Sequence, residues 1–238
     1  FRVITWDYRG HGKSRLAHPD AAVDMATHAR DVLAILDALG EPSAVYLGWS
    51  MGVQVGLELL RAAPERVRAF IALFGTFGQP FRHTAPPPVG QVIELFWQGL
   101  LHVPEVLAAT VRLGTLMPNL SLALLTLIRF ITPATSPAVF LSNMRNVADA
   151  DHRTYIRTMV ALAHHDARDV LASITAPTLV IGGEYDYLTS PKLSEQLAAA
   201  IPGSEGHVLM GASHYGLIED GQPVNDLIDA FLERHRLG

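Results

Sequence analysis

The stretch Val45-Tyr46-Leu47-Gly48-Trp49-Ser50-Met51-Gly52-Val53 constrains this chain more than any other. A short apolar run ends at Gly48, a serine follows two residues later, and after Gly52 the apolar residues recur at helical spacing through Leu60. The pattern G-x-S-x-G therefore stands where a strand turns tightly into a helix, the context that gives it meaning. Such a turn forces the serine backbone into a strained conformation that side chains on its neighbours would obstruct. Glycine is accordingly expected at both 48 and 52, framing Trp49, Ser50 and Met51. The strain would hold the hydroxyl at the top of a sheet, above the N-terminus of the next helix, whose amides and positive dipole end point toward any oxyanion formed there. The plainer reading is a glycine-rich turn that happens to hold a serine, and the pentapeptide alone does not exclude it.

Length and composition narrow the class. A chain of 238 residues, 49% apolar and only 17% charged, has the makings of a globular protein, either one large domain or a domain with an inserted lid. A net charge of -5 offers no electrostatic footprint for nucleic acid or an anionic membrane. With no cysteine, disulfides, thiolate metal sites and a cysteine nucleophile are excluded. The same absence fits a reducing compartment, and a cytoplasmic location is the expectation. No basic leader followed by a long apolar run opens the sequence. It lacks an initiator methionine and begins inside what reads as a strand, so a preceding N-terminal piece is expected. The greasiest region, Leu120 to Ile131, is interrupted by Arg129 and too short to span a bilayer. It reads as a buried or lid helix, and no membrane span is expected.

Along the chain, Phe1 to Trp6 reads as a short strand ending at Asp7, followed by the glycine-rich loop Tyr8-Arg9-Gly10-His11-Gly12-Lys13-Ser14. Val32, Leu33, Leu36 and Leu39 give a helix over 25–39, stopped by Gly40 and Pro42. Ala44 to Leu47 is a second strand, 51–63 a helix closed by Pro64, and Val67 to Phe74 a strand apolar enough to be buried on both faces. This alternation predicts an α/β fold with a mostly parallel sheet and flanking helices. Between Thr76 and about His165 the strand signal stops. A proline-rich loop (Pro80, then Pro86-Pro87-Pro88) leads to helical stretches at 92–101, 104–113, 120–131, 137–147 and 152–163. We read 76–165 as an inserted all-helical cap, and 1–75 with 166–238 as the α/β core. The core pattern resumes with a strand at 178–182, a helix at 191–200, a strand at 207–210 and a helix at 222–235.

A serine hydroxyl needs a base to take its proton and an acid to orient that base. Asp186 lies just beyond the strand at 178–182, in Gly183-Glu184-Tyr185-Asp186; His214 lies just beyond the strand at 207–210, in Ser213-His214-Tyr215. Loops that follow parallel strands share one sheet edge, the edge where ligands bind. The order Ser50, Asp186, His214 is the one expected with this elbow. Each residue also has a bland reading: Asp186 as a turn cap before Pro191, with Glu184 a rival acid, and His214 as a surface or satisfied histidine. His207 falls within a strand. His164-His165-Asp166 reads as solvated cap or linker and not as a metal site, because adjacent histidines diverge on a helix and no further ligand is suitably spaced. No metal and no cofactor is implied.

With Asp7 to Ser14, Gly48 to Gly52, Gly183 to Asp186 and Ser213-His214 assembled, the chain resembles the α/β-hydrolase fold superfamily in its capped, esterase-like branch. The resemblance spans both ends of the chain and leaves the cap unmatched. It implies Ser50 as nucleophile, His214 as general base and then acid, Asp186 as its orienting residue, and the backbone N–H of Met51 as one oxyanion donor. Members usually begin with three further strands and a His-Gly turn carrying the second donor, and that portion is not in this sequence. Either one strand is missing between 2–6 and 44–47, or these two pair directly. Losing one donor costs on the order of 100- to 1,000-fold in turnover, so the 238-residue chain is expected to be weak or inactive and the intact product an enzyme.

The nucleophile restricts the chemistry. Serine attacking an alkyl carbon would leave an ether that water does not readily cleave, whereas attack on a carbonyl leaves an acyl-enzyme that water does. A carboxylic ester or related small-molecule acyl substrate is expected, with an apolar or aromatic group received by a greasy cap (Phe96, Trp97, Leu100, Leu101, Leu120, Leu124, Leu127, Phe130). The same triad also serves an acyltransferase or a carbon–carbon bond hydrolase, and a non-catalytic ligand-binding member of the fold is a third alternative. The cap's apolar faces leave a homodimer open.

Overall fold

The computed structural model describes residues 1–84, 88–128 and 130–237. Pro86, Pro87 and Arg129 lie outside the described residues. The first element is α1 (Met25–Leu39), capped at its start by the Asp24 carboxylate, which accepts from the Thr27 N–H at 2.7 Å. It ends at Gly40, whose φ of 69° only glycine adopts without cost. There the N–H groups of Gly40 and Glu41 satisfy the last carbonyls of the helix. Next come β1 (Ala44–Trp49), α2 (Met51–Ala62) and β2 (Val67–Leu73). The helical insertion follows as α3 (Pro80–Thr84), α4 (Val89–Leu100), α5 (Pro104–Leu116), α6 (Pro118–Leu127), α7 (Pro137–Ala148) and α8 (His152–His164). The chain then returns through β3 (Thr178–Gly183), α9 (Pro191–Ala200), β4 (Glu205–Leu209), α10 (Gly216–Glu219) and α11 (Gly221–Arg234).

The four strands pair in the order β1-β2-β3-β4, all parallel. Parallel strands need crossovers: α2 and α9 supply two of them on one face, and α11, which follows the last strand, covers the other. On one face α1, α2 and α9 enclose Leu36, Val53, Leu57, Phe70, Val180 and Leu197. On the other, α11 packs Val224 and Phe231 against Ile71, Leu179 and Ile181. β2 and β3, in the middle, are buried almost throughout, as their unbroken apolar sequences require.

Phe1–Trp6 is not a strand. Its alternation is real, since Ile4, Trp6 and Tyr8 turn inward onto the core while Phe1 and Val3 stay exposed. A strand, however, exists only by pairing, and this segment shares no ladder with β1, the nearest edge of the sheet. The Trp6 ring meets Tyr46 of β1 at 6.4 Å, so the segment is held by side chains alone. The region at 120–131 also differs from expectation: α6 stops at Leu127 and none of its residues is buried.

The insertion leaves and rejoins the core through one neck. Gly78 and Asp166 form an isolated antiparallel bridge, flanked by bonds from Gln79 N–H to the His165 carbonyl and from Ala167 N–H to the Phe77 carbonyl. His165 is not a solvated linker residue. It donates from Nε2 to Glu58 Oε1 at 2.8 Å, and Arg61 bridges Glu58 to Asp169. Burial alone would raise the Glu58 carboxyl, but the His165 hydrogen bond and the Arg61 charge outweigh it and leave it below its ordinary value. The neck is thereby tied to α2, the helix that starts at Ser50.

Candidate active site

Ser50 sits between β1 and α2 with φ 54° and ψ −118°, a region that non-glycine residues occupy only under constraint. The constraint is visible: Ser50 N–H donates to the Leu73 carbonyl at 2.9 Å, pinning the turn to β2. Gly48 is indispensable to it, because a Cβ there would lie 2.4 Å from the carbonyl carbon of Gly52. Gly52 is less constrained than the pentapeptide predicts, since a Cβ there would meet only the Tyr8 hydroxyl, at 3.3 Å. Met51 is the first residue of α2, so its N–H has no acceptor within the helix and remains available beside the Ser50 hydroxyl.

The loops after β3 and β4 deliver the other two side chains to the same place. The Ser50 hydroxyl donates to His214 Nε2 at 2.9 Å, and His214 Nδ1–H donates to Asp186 Oδ2 at 2.9 Å. Residues 164 and 28 positions apart in sequence thus meet within hydrogen-bond reach. Asp186 and His214 are both buried. The carboxylate is fully engaged: Oδ1 accepts from the N–H groups of Leu188 and Thr189 at 2.8 Å each, and Oδ2 also accepts from the Thr189 hydroxyl at 2.7 Å. Asp186 is therefore both a turn cap and the partner of the histidine. The rival acid Glu184 points elsewhere, accepting from the Gly211 N–H at 2.8 Å. His207 lies in β4, away from the three.

Trp49 of the elbow and two residues the sequence did not mark, Phe74 and Glu219, hold this arrangement. Trp49 donates from Nε1 to the His214 carbonyl at 3.1 Å and lays its ring 5.4 Å from the imidazole. Phe74, with φ 46° and fully buried, backs onto Gly216 just past His214, so closely that a Cβ on that glycine would meet the Phe74 ring. Glu219 accepts from Ser213 N–H and hydroxyl at 2.9 and 2.6 Å and from Thr132 N–H and Thr135 hydroxyl at 3.0 and 2.8 Å. It clasps the insertion to the histidine loop. Burial would raise its carboxyl, yet the Ser213, Thr135 and Thr132 bonds together hold it below the ordinary glutamate range. No sequence signal marks Glu219, because its partners come from two segments, 132–135 and Ser213.

Aromatic rings wall the site. Tyr215 packs against Trp49 at 5.6 Å, His214 at 5.8 Å, and Phe130 and Phe140 of the insertion at 5.5 and 5.1 Å. Tyr155 of α8 joins Trp97 at 6.3 Å and His11 at 5.9 Å. Burial pushes up both phenols, that of Tyr215 further through its neighbours Tyr155 and Asp186, so both remain neutral donors. Of the expected cap residues, Trp97 and Phe130 join these ring clusters and Leu100 is buried, whereas Leu120, Leu124 and Leu127 face outward. Among the described residues no cluster of three histidine or acidic side chains is arranged to hold a metal, and no single helix is long and apolar enough to cross a membrane.

A parallel sheet with an elbow serine, an acid after one later strand and a histidine after the next defines the class. The model of the alpha/beta hydrolase fold matches residues 1–221, and the chain belongs to that family. It is 30% identical over 235 residues to 3-oxoadipate enol-lactonase 2 of Acinetobacter baylyi, covering 98% of this chain and 79% of that one. It is 27% identical over 239 residues to a pimeloyl-[acyl-carrier protein] methyl ester esterase of Hamiltonella defensa, covering 99% and 84%. Among solved structures it superposes on an enol-lactonase from Burkholderia xenovorans LB400 with a TM-score of 0.73 at 25% identity, covering 95% and 79%. An esterase from Exiguobacterium antarcticum shares the fold, with a TM-score of 0.74 at 22% identity over 95% and 80% of the two chains.

Proposed function

We propose that this α/β hydrolase cleaves a small carboxylic ester, or a related acyl substrate such as a lactone, through an acyl-enzyme on Ser50. The observation that carries the proposal is the unbroken relay from the Ser50 hydroxyl to His214 and on to Asp186, at 2.9 Å for each bond. As His214 Nε2 takes the hydroxyl proton, Ser50 Oγ attacks the substrate carbonyl, and Asp186 steadies the imidazolium that forms. The tetrahedral oxyanion receives the Met51 N–H at the positive end of α2. Collapse expels the alcohol, which takes the proton from His214. Water then repeats the sequence, with His214 as base, to release the acid and regenerate the Ser50 hydroxyl.

The aromatic walls support an apolar or aromatic substituent, since Trp49 and Tyr215 lie against the histidine and Phe130 and Phe140 pack on Tyr215, giving apolar ring surface and no charge. The names of the relatives, an enol-lactonase and a methyl ester esterase, agree with attack on an ester carbonyl.

A fluorophosphonate probe tests the reading directly, because it labels only a serine activated in this way. In the full-length protein the expected result is a single adduct mapped to Ser50, absent from Ser50→Ala, and hydrolysis of aryl esters lowered on the order of 10,000-fold or more by that substitution. Equal labelling or turnover by Ser50→Ala would overturn the assignment.

A further inference from the structure

Two helices of the insertion carry their apolar faces on the outside. On α5, Val106, Leu113 and Leu116 are exposed, Leu116 at 78%. On α6, Leu120, Leu124 and Leu127 are exposed, Leu127 at 77%. The spacings of three, four and seven residues place each set on one helix face. The inner faces are already used: Gly114 of α5 abuts Ser121 of α6, whose hydroxyl donates to the Gly114 carbonyl at 2.9 Å, and Met144 of α7 closes the same contact. With on the order of 100 Å² of exposed apolar surface for each such side chain, the six offer roughly 600 Å², about three quarters of the roughly 800 Å² per partner of a standard specific interface.

We propose that this face joins two copies of the chain, with α5 packed antiparallel on α5 of the partner around a two-fold axis at Ala108–Ala109. The charges select this occupant. α5 carries one acid and one base between residues 104 and 116, Glu105 and Arg112, both exposed and without an ion-pair partner among the described residues. They stand seven residues apart, two helical turns or about 10 Å, on the same edge of the apolar stripe. In an antiparallel helix pair, the charged positions flanking the seam face positions of their own heptad class on the other helix. Glu105 then faces Arg112 of the partner subunit, and the two-fold axis repeats the pair. Midway between them the axis falls on alanines, whose small side chains let two backbones approach. A lipid surface fits poorly. A helix lying in a bilayer interface carries a basic rim, whereas α6 has no charged residue and α5 has one of each sign.

Sedimentation equilibrium of the full chain tests this, with circular dichroism confirming that each variant folds. The wild type is expected to dimerise with a dissociation constant of roughly micromolar or below. Glu105→Arg alone and Arg112→Glu alone each set like charges against one another twice and should weaken the dimer about ten-fold or more. Mixing the two single variants makes every pair complementary again and should restore the wild-type constant to within about three-fold. A monomeric wild type at about 100 µM, well above the range in which such interfaces hold, would overturn the proposal. So would a dimer indifferent to both reversals, or one that mixing does not rescue. Co-sedimentation of a monomeric chain with phosphatidylcholine vesicles would also overturn it and assign the face to lipid.

Discussion

The sheet-bearing core and the outer helices of the insertion are built from the same residue types facing opposite ways. In α2, every residue from Gly52 to Leu60 is buried, including Gln54 and Glu58. In α5 and α6, no residue is buried at all, although leucine is the commonest residue in both. The difference teaches that periodicity announces a helix without saying what it packs on. α2 lies between α1 and the sheet and is enclosed from all sides, whereas α6 leans on little besides α5. The core can therefore hold a strained serine and a buried histidine–aspartate pair in hydrogen-bonding register. The outer insertion, with few buried contacts, belongs to the low-stability end of the molecule, where movement over a site is cheap.

The comparison predicts where substitutions hurt, and the largest effect belongs to the middle of the sheet. Phe70 on β2 is fully buried, with its ring 6.2 Å from Tyr46 and against Gly56 of α2. Phe70→Ala is expected to cost about 3–5 kcal/mol in urea unfolding, as a truncated aromatic leaves a cavity that close-packed neighbours do not fill. A loss below about 1 kcal/mol would mean that the core is no better packed than the insertion.

A smaller effect separates the two regions by pH. His28 of α1 is fully buried, 4.8 Å from the Tyr8 ring, and neither ring nitrogen has a partner. Burial lowers its pKa from 6.5 to about 4, with the Asp31 charge opposing the shift and those of His11 and Arg9 adding to it. The folded state thus refuses a proton that the unfolded chain accepts. Stability is complete above the unfolded value and is lost as pH falls from 6.5 toward about 4. Between pH 7 and pH 5 the loss should be roughly 2 kcal/mol, and His28→Leu should flatten it. Glu58 and Glu219, whose carboxyls are held below 4.5, add to acid sensitivity only beneath that range. An unaltered pH slope in the leucine variant would remove His28 from this role.

Much of the core was legible because its elements are local or repeat a short pattern. Gly48, Ser50 and Gly52 stand within five residues, and Asp186 and His214 each follow a strand that its own apolar run announces. What the sequence hid depends on partners far away. Phe1–Trp6 has the alternation of a strand, yet no ladder, because pairing is a property of the neighbour. His165 reads as linker until Glu58, 107 residues earlier, meets it in the fold. Glu219 looks like any acid near a helix end, and only the fold brings it both Ser213 and the insertion's Thr132 and Thr135. Tyr215 stood beside His214 in plain view, but a tyrosine after a histidine carries no signal until Phe130 and Phe140 close over it.

The smallest expected effect is the sharpest check on the insertion. Leu127 ends α6 with 77% of its surface exposed, so replacing it with glutamine removes almost nothing from the interior. Exposed substitutions away from caps, cavities and charge networks usually change stability by no more than about 0.5 kcal/mol. Leu127→Gln should therefore leave the urea midpoint of dilute, monomeric protein where it was. The change is conservative in polarity terms only because of where the residue sits: Leu57, also a helical leucine, is fully enclosed in α2, and glutamine there would bury an amide with nothing to bond. If Leu127→Gln instead costs 2 kcal/mol or more, on the order of a buried leucine's transfer energy, then α6 packs inward in solution and the outward face described for it does not exist.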